Sequence, residues 1–270
     1  MIFFDIYNFL SPAGARYAAL TQFIPSFLSF INLPSVIFSS FILVTLLTLA
    51  AGRNYCSFLC PLGILQDMIT RTASILRKKR NYSYTPPYDF IRYSILAAVV
   101  ISYITGGTLL IIWLDPFSIY GRFSSFILSP AVTAINNKAV SILSKFNIYS
   151  MHYLDIRNAG LSLLITVTVT MIIISALAVF KGRFYCATVC PVGTLLGLVS
   201  NFSFYRIEID KDGCIHCGKC EKICKSSCIE HKELRVDFSR CVSCFNCLKS
   251  CPNSSIKFRP AYTGKNEEAE

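Results

Sequence analysis

The chain has 270 residues, 53% hydrophobic and 15% charged, with 13 cysteines and a formal net charge of +11; its mean hydropathy is +0.52. That is too apolar for an ordinary soluble domain, the long apolar runs exclude intrinsic disorder, and no compact pattern of Arg, Lys and aromatic residues marks a nucleic-acid module. Residues 1–205 hold 19 of the 41 charged side chains and residues 206–270 the other 22, so two chemically different parts meet near residue 205.

In chain order, residues 1–25 lack the pattern of a cleaved signal peptide, because Asp5 and Arg16 interrupt the apolar run. Residues 17–52 are uncharged but broken by Pro25 and Pro34, which predicts one span at about 33–51, preceded by an interfacial or re-entrant segment. No charge appears over 93–114 or 158–180, and each run is long enough to cross a hydrocarbon core of about 30 Å as a helix. The loop between the first two spans carries Arg53, Arg71, Arg77, Lys78, Lys79, Arg80 and Arg92 against Asp67 and Asp89, whereas the 115–158 connection is less basic. The positive-inside bias places the 52–92 loop and the chain after Lys181 in the cytoplasm, with the second span running outward and the third returning. Three spans put the N-terminus outside, as if a helix before residue 15 were missing or shortened.

A first repeat follows the first and third spans. Gly52-Arg53-Asn54-Tyr55-Cys56-Ser57-Phe58-Leu59-Cys60-Pro61-Leu62-Gly63-Ile64-Leu65 recurs 130 residues later, from Gly182 to Leu195, with eight of fourteen positions identical. Both copies emerge at one membrane face, where Cys56, Cys60, Cys186 and Cys190 can converge about a pseudo-two-fold axis. Pro61 and Pro191 suit the first position of a helix, leaving Cys60 and Cys190 at its N-terminus, where N–H groups and the dipole favour a thiolate. Leu62, Leu65, Ile69, Ala73 and Leu76 then form one face, with Gln66, Asp67, Thr70 and Arg77 elsewhere, as in a helix lying on a bilayer. Arg53 and Arg183 are expected at the headgroup level, either snorkelling or offsetting thiolate charge. The four thiols read as ligands of a metal cluster or as redox-active dithiols.

The second repeat is more specific. Cys214-x2-Cys217-x2-Cys220-x3-Cys224 is followed 27 residues later by Cys241-x2-Cys244-x2-Cys247-x3-Cys251-Pro252. This is the bacterial two-cluster 4Fe–4S pattern, in which the fourth cysteine of each run serves the other cluster. By that rule Cys214, Cys217, Cys220 and Cys251 hold one cluster, and Cys241, Cys244, Cys247 and Cys224 the other. A zinc ribbon, with two C-x2-C pairs across a longer loop, matches poorly. Lys225 stands where a proline usually follows the fourth cysteine, and Cys228 is left over, read as a buried free thiol beside the cluster.

Together the two repeats resemble the membrane polyferredoxins of the NapH, NosR and YccM type, over about residues 33–258. The resemblance implies a bacterial cytoplasmic-membrane protein that passes electrons between the quinone pool and a partner redox protein, as a quinol dehydrogenase-type component of a larger complex. It extends to Cys56, Cys60, Cys186, Cys190 and the eight C-terminal cysteines, to Cys228, and to Trp113-Leu-Asp115-Pro116 at the outer end of the second span. Family members often begin with a further membrane helix, and the flavin-binding domain of the NosR branch has no counterpart here.

The expected fold is mainly α: a polytopic transmembrane bundle with a pseudo-repeat over 1–205, a small α+β two-cluster ferredoxin-like domain over 206–260, and a tail at 261–270. His152, His216 and His231 lie outside the expected spans, which excludes a transmembrane bis-histidine haem, and neither a Walker A nor a dinucleotide motif occurs. The leading reading is therefore a one-electron relay with two 4Fe–4S clusters, a third at the four membrane-face thiols, and a quinone. Asp115 and Trp113 are candidates for a quinone site, Asp115 having a helix cap as its alternative role. Two other readings are a membrane redox sensor or maturation factor that cycles the four thiols, and a membrane anchor for an oxidoreductase. Each four-thiolate cubane adds about −2, which brings the net charge to roughly +7 or +5 and leaves a basic cytoplasmic face suited to anionic lipid and an acidic redox partner.

Overall fold

A computed structural model describes residues 21–32, 38–77, 82–145, 152–155 and 160–261. The expectations for the N-terminal segment before residue 15 and for the tail after Ala261 lie outside the described residues. The described chain is mainly helical, with a small sheet-containing lobe at its C-terminal end.

Helices α1 (Phe23–Asn32) and α2 (Phe38–Ala51) pack through Phe23, Phe27 and Phe41. The short α3 (Asn54–Phe58) and the long α4 (Pro61–Arg77) follow, with Cys60 between them. Helix α2 has 14 residues, about 21 Å of rise; residues 33–37, which complete the expected first span, are outside the described residues.

The expected span over 93–114 is two helices, α5 (Asp89–Ile104) and α6 (Leu109–Leu114). The break lies at 105–108, where Gly106 has φ +84° and the Gly107 N–H donates to Ser102 O at 2.7 Å while Ser102 Oγ donates back to Gly107 O. Apolarity without charge set the expectation, and it is blind to a Gly-Gly turn that satisfies its own backbone.

The connection expected over 115–158 instead contains α7 (Pro116–Ser144), 29 residues long. Asp115 starts it, accepting from the N–H and Oγ of Ser118 at 2.9 Å each, and Pro116 occupies the first turn. A π-helical turn at Ser124–Leu128 precedes Pro130, widening the helix where the proline ring removes a backbone donor. Arg122, a charge within this helix, lies with its guanidinium over the Trp113 ring at 4.5 Å and donates to Ile112 O and Ser118 O. Helix α8 (Leu161–Lys181) coincides with the last apolar run. Among the described residues, α7 and α8 are the helices long and apolar enough to cross a membrane.

After a π-helical turn at Tyr185–Val189 comes α9 (Pro191–Ser200). The repeats exchange neighbours: α4, which follows the first repeat, packs on α8, which precedes the second, and α9 packs on α2. The C-terminal lobe pairs β1 (Tyr205–Ile209) antiparallel with β4 (Ile256–Pro260), Ile207 opposite Phe258. Between them lie α10 (Lys219–Ile223), the two-residue strands β2 (Ile229–Glu230) and β3 (Arg235–Val236), and α11 (Asn246–Ser250). One buried cluster gathers Phe23, Tyr55, Leu62, Ile119, Met171 and Val192 around the first-repeat cysteines; a second, in the lobe, gathers Ile207, Ile229, Phe238 and Ile256.

Candidate iron–sulfur sites

In the lobe, Cys214, Cys217, Cys220 and Cys251 line one cavity together with Ile209, Leu234 and Ile256. Cys247 has Cys241, Cys224 and Cys244 as its electrostatic neighbours. The 27-residue period of the sequence recurs in the backbone. His216 and Ser243, Gly218 and Phe245, and Ser227 and Ser254 are paired at that offset, and all six have positive φ. Such turns aim successive N–H groups into one concavity. The donors repeat as well: Ser226, Cys228 and Ile229 offer backbone N–H groups to Cys224, and Asn253, Ser255 and Ile256 offer theirs to Cys251. The Cys228 thiol, 3.5 Å from Cys224, and these N–H groups outweigh burial and hold Cys224 below the ordinary thiol range. Burial opposes the same effect at Cys251, which its three N–H donors still lower. Cys228 itself is buried and close to both Cys224 and Cys241.

Cys56, Cys60, Cys186 and Cys190 lie in one buried core cluster and interact electrostatically with one another. Pro61 and Pro191 open their helices as expected from the repeat, and the Gly193 N–H donates to Cys190 Sγ at 3.3 Å. A Cβ on Gly63 would come to 2.5 Å from Cys56 O, and one on Gly193 to 2.2 Å from Cys186 O, so both glycines permit close approach of helix and cysteine loop. The expected thiolate character does not hold for the bare thiols. Burial dominates, raising Cys60 and Cys190 well above the ordinary thiol range and pushing Cys186 up to about 12.

Arg53 and Arg183 are fully buried, so their guanidinium groups do not snorkel to solvent. Each crosses to the other repeat: Arg53 Nη2 donates to Cys186 O at 2.8 Å, and Arg183 Nη1 to Cys56 O at 2.9 Å. Arg53 Nη2 also lies 3.8 Å from Cys56 Sγ. Arg183 forks onto Asp67 at 3.0 and 2.8 Å, and Lys225 Nζ reaches the same carboxylate at 2.6 Å. The residue that replaces the usual proline thus ties the lobe to α4, and its carbonyl accepts from the Arg183 N–H at 2.8 Å.

The buried side of α4 is wider than the expected apolar face. Leu62 is buried and Leu65, Ile69 and Ala73 are half-buried, as that face requires, but Gln66 and Thr70, expected off it, are buried as well. Gln66 Oε1 accepts from Cys186 Sγ at 3.2 Å. Sequence reasoning missed Gln66 as a site residue; its signal was the i+4 spacing from Leu62, beside the cysteine.

Three further contacts from buried arginines dock the lobe. Arg53 Nη1 and Arg92 Nη2 both donate to Ser239 O, and Arg92 also reaches Ser239 Oγ. Val242 belongs to the core around the repeat cysteines Cys56, Cys60, Cys186 and Cys190 and Cys244 packs against it, whereas Cys220 and Cys251 pack against the lobe core that contains Cys224, Cys241 and Cys247. The three cysteine sets therefore adjoin in series, and the last of them is bordered by exposed Ile215 and Cys217. Trp113 and Asp115 are not remote from the thiols. Tyr185, next to Cys186, donates its hydroxyl to Leu114 O at 2.8 Å, because the chain turns back at Gly106 and Gly107. Asp115 takes its alternative role, as the cap of α7.

All three sets are purely thiol, the donor chemistry that suits iron–sulfur clusters rather than hard cations. Among the described residues, no three His, Cys, Asp or Glu side chains meet closely enough to hold a lone metal ion.

A family model described as a 4Fe–4S binding domain matches residues 33–83 and 163–206, the segments that carry Cys56, Cys60, Cys186 and Cys190. YccM of Escherichia coli, provisionally named an electron transport protein, is 30% identical over 203 residues, 72% of this chain and 48% of its own. The ferredoxin-type protein NapH of Escherichia coli is 27% identical, covering 68% and 51%. The methylamine utilization ferredoxin-type protein MauN of Paracoccus denitrificans is 28% identical, covering 65% and 49%. The chain spans about half the length of these relatives, and no solved structure matches it. With the duplicated cysteine segments and these sequences side by side, the chain is a relative of the NapH- and YccM-type ferredoxin proteins.

Proposed function

We propose that this chain is a membrane-bound electron relay between the quinone pool and a partner redox protein, with Cys214, Cys217, Cys220 and Cys251 holding one 4Fe–4S cluster, Cys241, Cys244, Cys247 and Cys224 a second, and Cys56, Cys60, Cys186 and Cys190 a third. When bound, such clusters supply one-electron transfer. The observation that carries the reading is the serial packing of the three sets, from the buried repeat thiols through Val242 and Cys244 to the rim at Cys217.

Each part of the chain has a task in this reading. Helices α7 and α8 span the bilayer within a polytopic bundle, and the basic 52–92 loop keeps the lobe on the cytoplasmic side of a bacterial inner membrane. Arg53 and Arg183 bring two positive charges to the four repeat thiolates, and the turn N–H groups do the equivalent in the lobe. Ile215 and the exposed edge at Cys217 form the contact for the partner protein. Burial of the repeat thiols argues against cycling dithiols, since an accessible thiolate is the reactive species.

The test is anaerobic mixing of the purified protein with menaquinol. The reading expects reduced iron–sulfur signals by EPR that disappear on adding the quinone. Absence of cluster reduction by any quinol, with no re-oxidation by quinone, sinks the quinone link.

A further inference from the structure

Gln66 is fully buried, and only the acceptor side of its amide is engaged. Oε1 accepts from the Cys186 thiol at 3.2 Å, while Nε2 has no partner. A buried amide donor without an acceptor is unfavourable, and Gln66 sits between buried Leu62 and Thr70, where no water-facing surface relieves it. The position is also asymmetric. The 130-residue repeat puts Leu196 where the second half would carry the equivalent of Gln66, and Leu196 is equally buried. An apolar side chain therefore satisfies the packing at this place in the fold. The glutamine answers a requirement specific to Cys186.

We propose that Gln66 is a further residue of the membrane-face cysteine site, donating its amide N–H to the Cys186 sulfur once iron is bound and so raising the reduction potential there. The inference rests on the reading of Cys56, Cys60, Cys186 and Cys190 as cluster ligands. A thiol that binds iron gives up its proton to solvent, and its sulfur becomes an acceptor only. The present S–H to Oε1 bond is then lost. A half-turn of the amide about its last torsion replaces it with N–H to sulfur and at the same time gives Nε2 its missing partner. Hydrogen bonds to ligand sulfur favour the more negative, reduced state. Backbone donors serve Cys60 from Gly63 and Cys190 from Gly193, Arg53 approaches Cys56, and Gln66 completes the set at Cys186.

The experiment uses the full-length holoprotein with Gln66→Met, of similar length but without a donor, and Gln66→Leu, the residue of the other repeat. Iron and acid-labile sulfide are counted first, and each EPR species is then titrated potentiometrically, with resonance Raman spectra of the Fe–S stretches. The expected result is wild-type iron content, one species shifted to lower potential with altered Fe–S stretches, and two species unmoved. Unchanged potentials at full iron content in both variants overturn the proposal. Selective loss of that site's iron in both variants also overturns it, leaving Gln66 a packing residue. A wild-type count near eight irons per chain removes the cluster reading underneath and the inference with it.

Discussion

The lobe and the buried repeat cysteines solve one electrostatic problem in two ways. In the lobe, Cys224 and Cys251 are surrounded by N–H groups from the next few residues, held inward by turns of positive φ. Around Cys56, Cys60, Cys186 and Cys190 the local donors Gly63 and Gly193 are joined by compensation from afar: Arg53 and Arg183 reach across more than 120 residues of sequence, each to a carbonyl of the opposite repeat. Local compensation makes a site that can be held by a small loop. Long-range compensation makes one that exists only when both halves have docked.

The same contrast decides what could be read from the chain. The lobe was legible because ligand, turn and donor all recur within a few residues at a 27-residue period. The repeat around Cys56 and Cys186 was visible as a duplication, but its surroundings were not: Arg53 and Arg183 carry the signature of membrane-edge anchors and are instead buried. Hydropathy located the helix over 161–181 and failed at Gly106, where a turn hides in an apolar run, and at Arg122, where a charge is absorbed by Trp113 and two carbonyls. Lys225, which as a departure from the motif weakened it, is a tie to Asp67 that no local rule would reveal.

Several substitutions separate the local from the long-range site, beginning with the most severe. Cys190→Ser is expected to remove about four irons per chain while leaving the lobe signals intact, and Cys247→Ser to do the reverse; iron analysis with EPR reads both. Equal loss of all signals in either variant would show that the two sites are not separable. Arg183→Ala strips Asp67 of its forked partner and Cys56 O of its donor, and should lower stability by about 3 kcal/mol, seen as a lower thermal midpoint and easier proteolytic release of the lobe near residues 201–204. Gly193→Ala forces a methyl within 2.2 Å of Cys186 O and should cost about 1–3 kcal/mol and disturb the repeat site alone; Gly160→Ala, with nothing within 4 Å, is the control. Lys225→Ala leaves Asp67 held by Arg183 and should cost no more than about 1 kcal/mol. Ile215→Glu should leave iron content and thermal midpoint unchanged and slow only electron exchange with an external protein acceptor.

On the proposed reading, the two cysteine repeats hold iron in the same way as the lobe. Iron and acid-labile sulfide per chain, measured on anaerobically purified full-length protein, test it most directly. Three 4Fe–4S clusters predict about twelve of each. A reproducible value of about eight, with Cys56, Cys60, Cys186 and Cys190 all free to alkylation, would contradict the account.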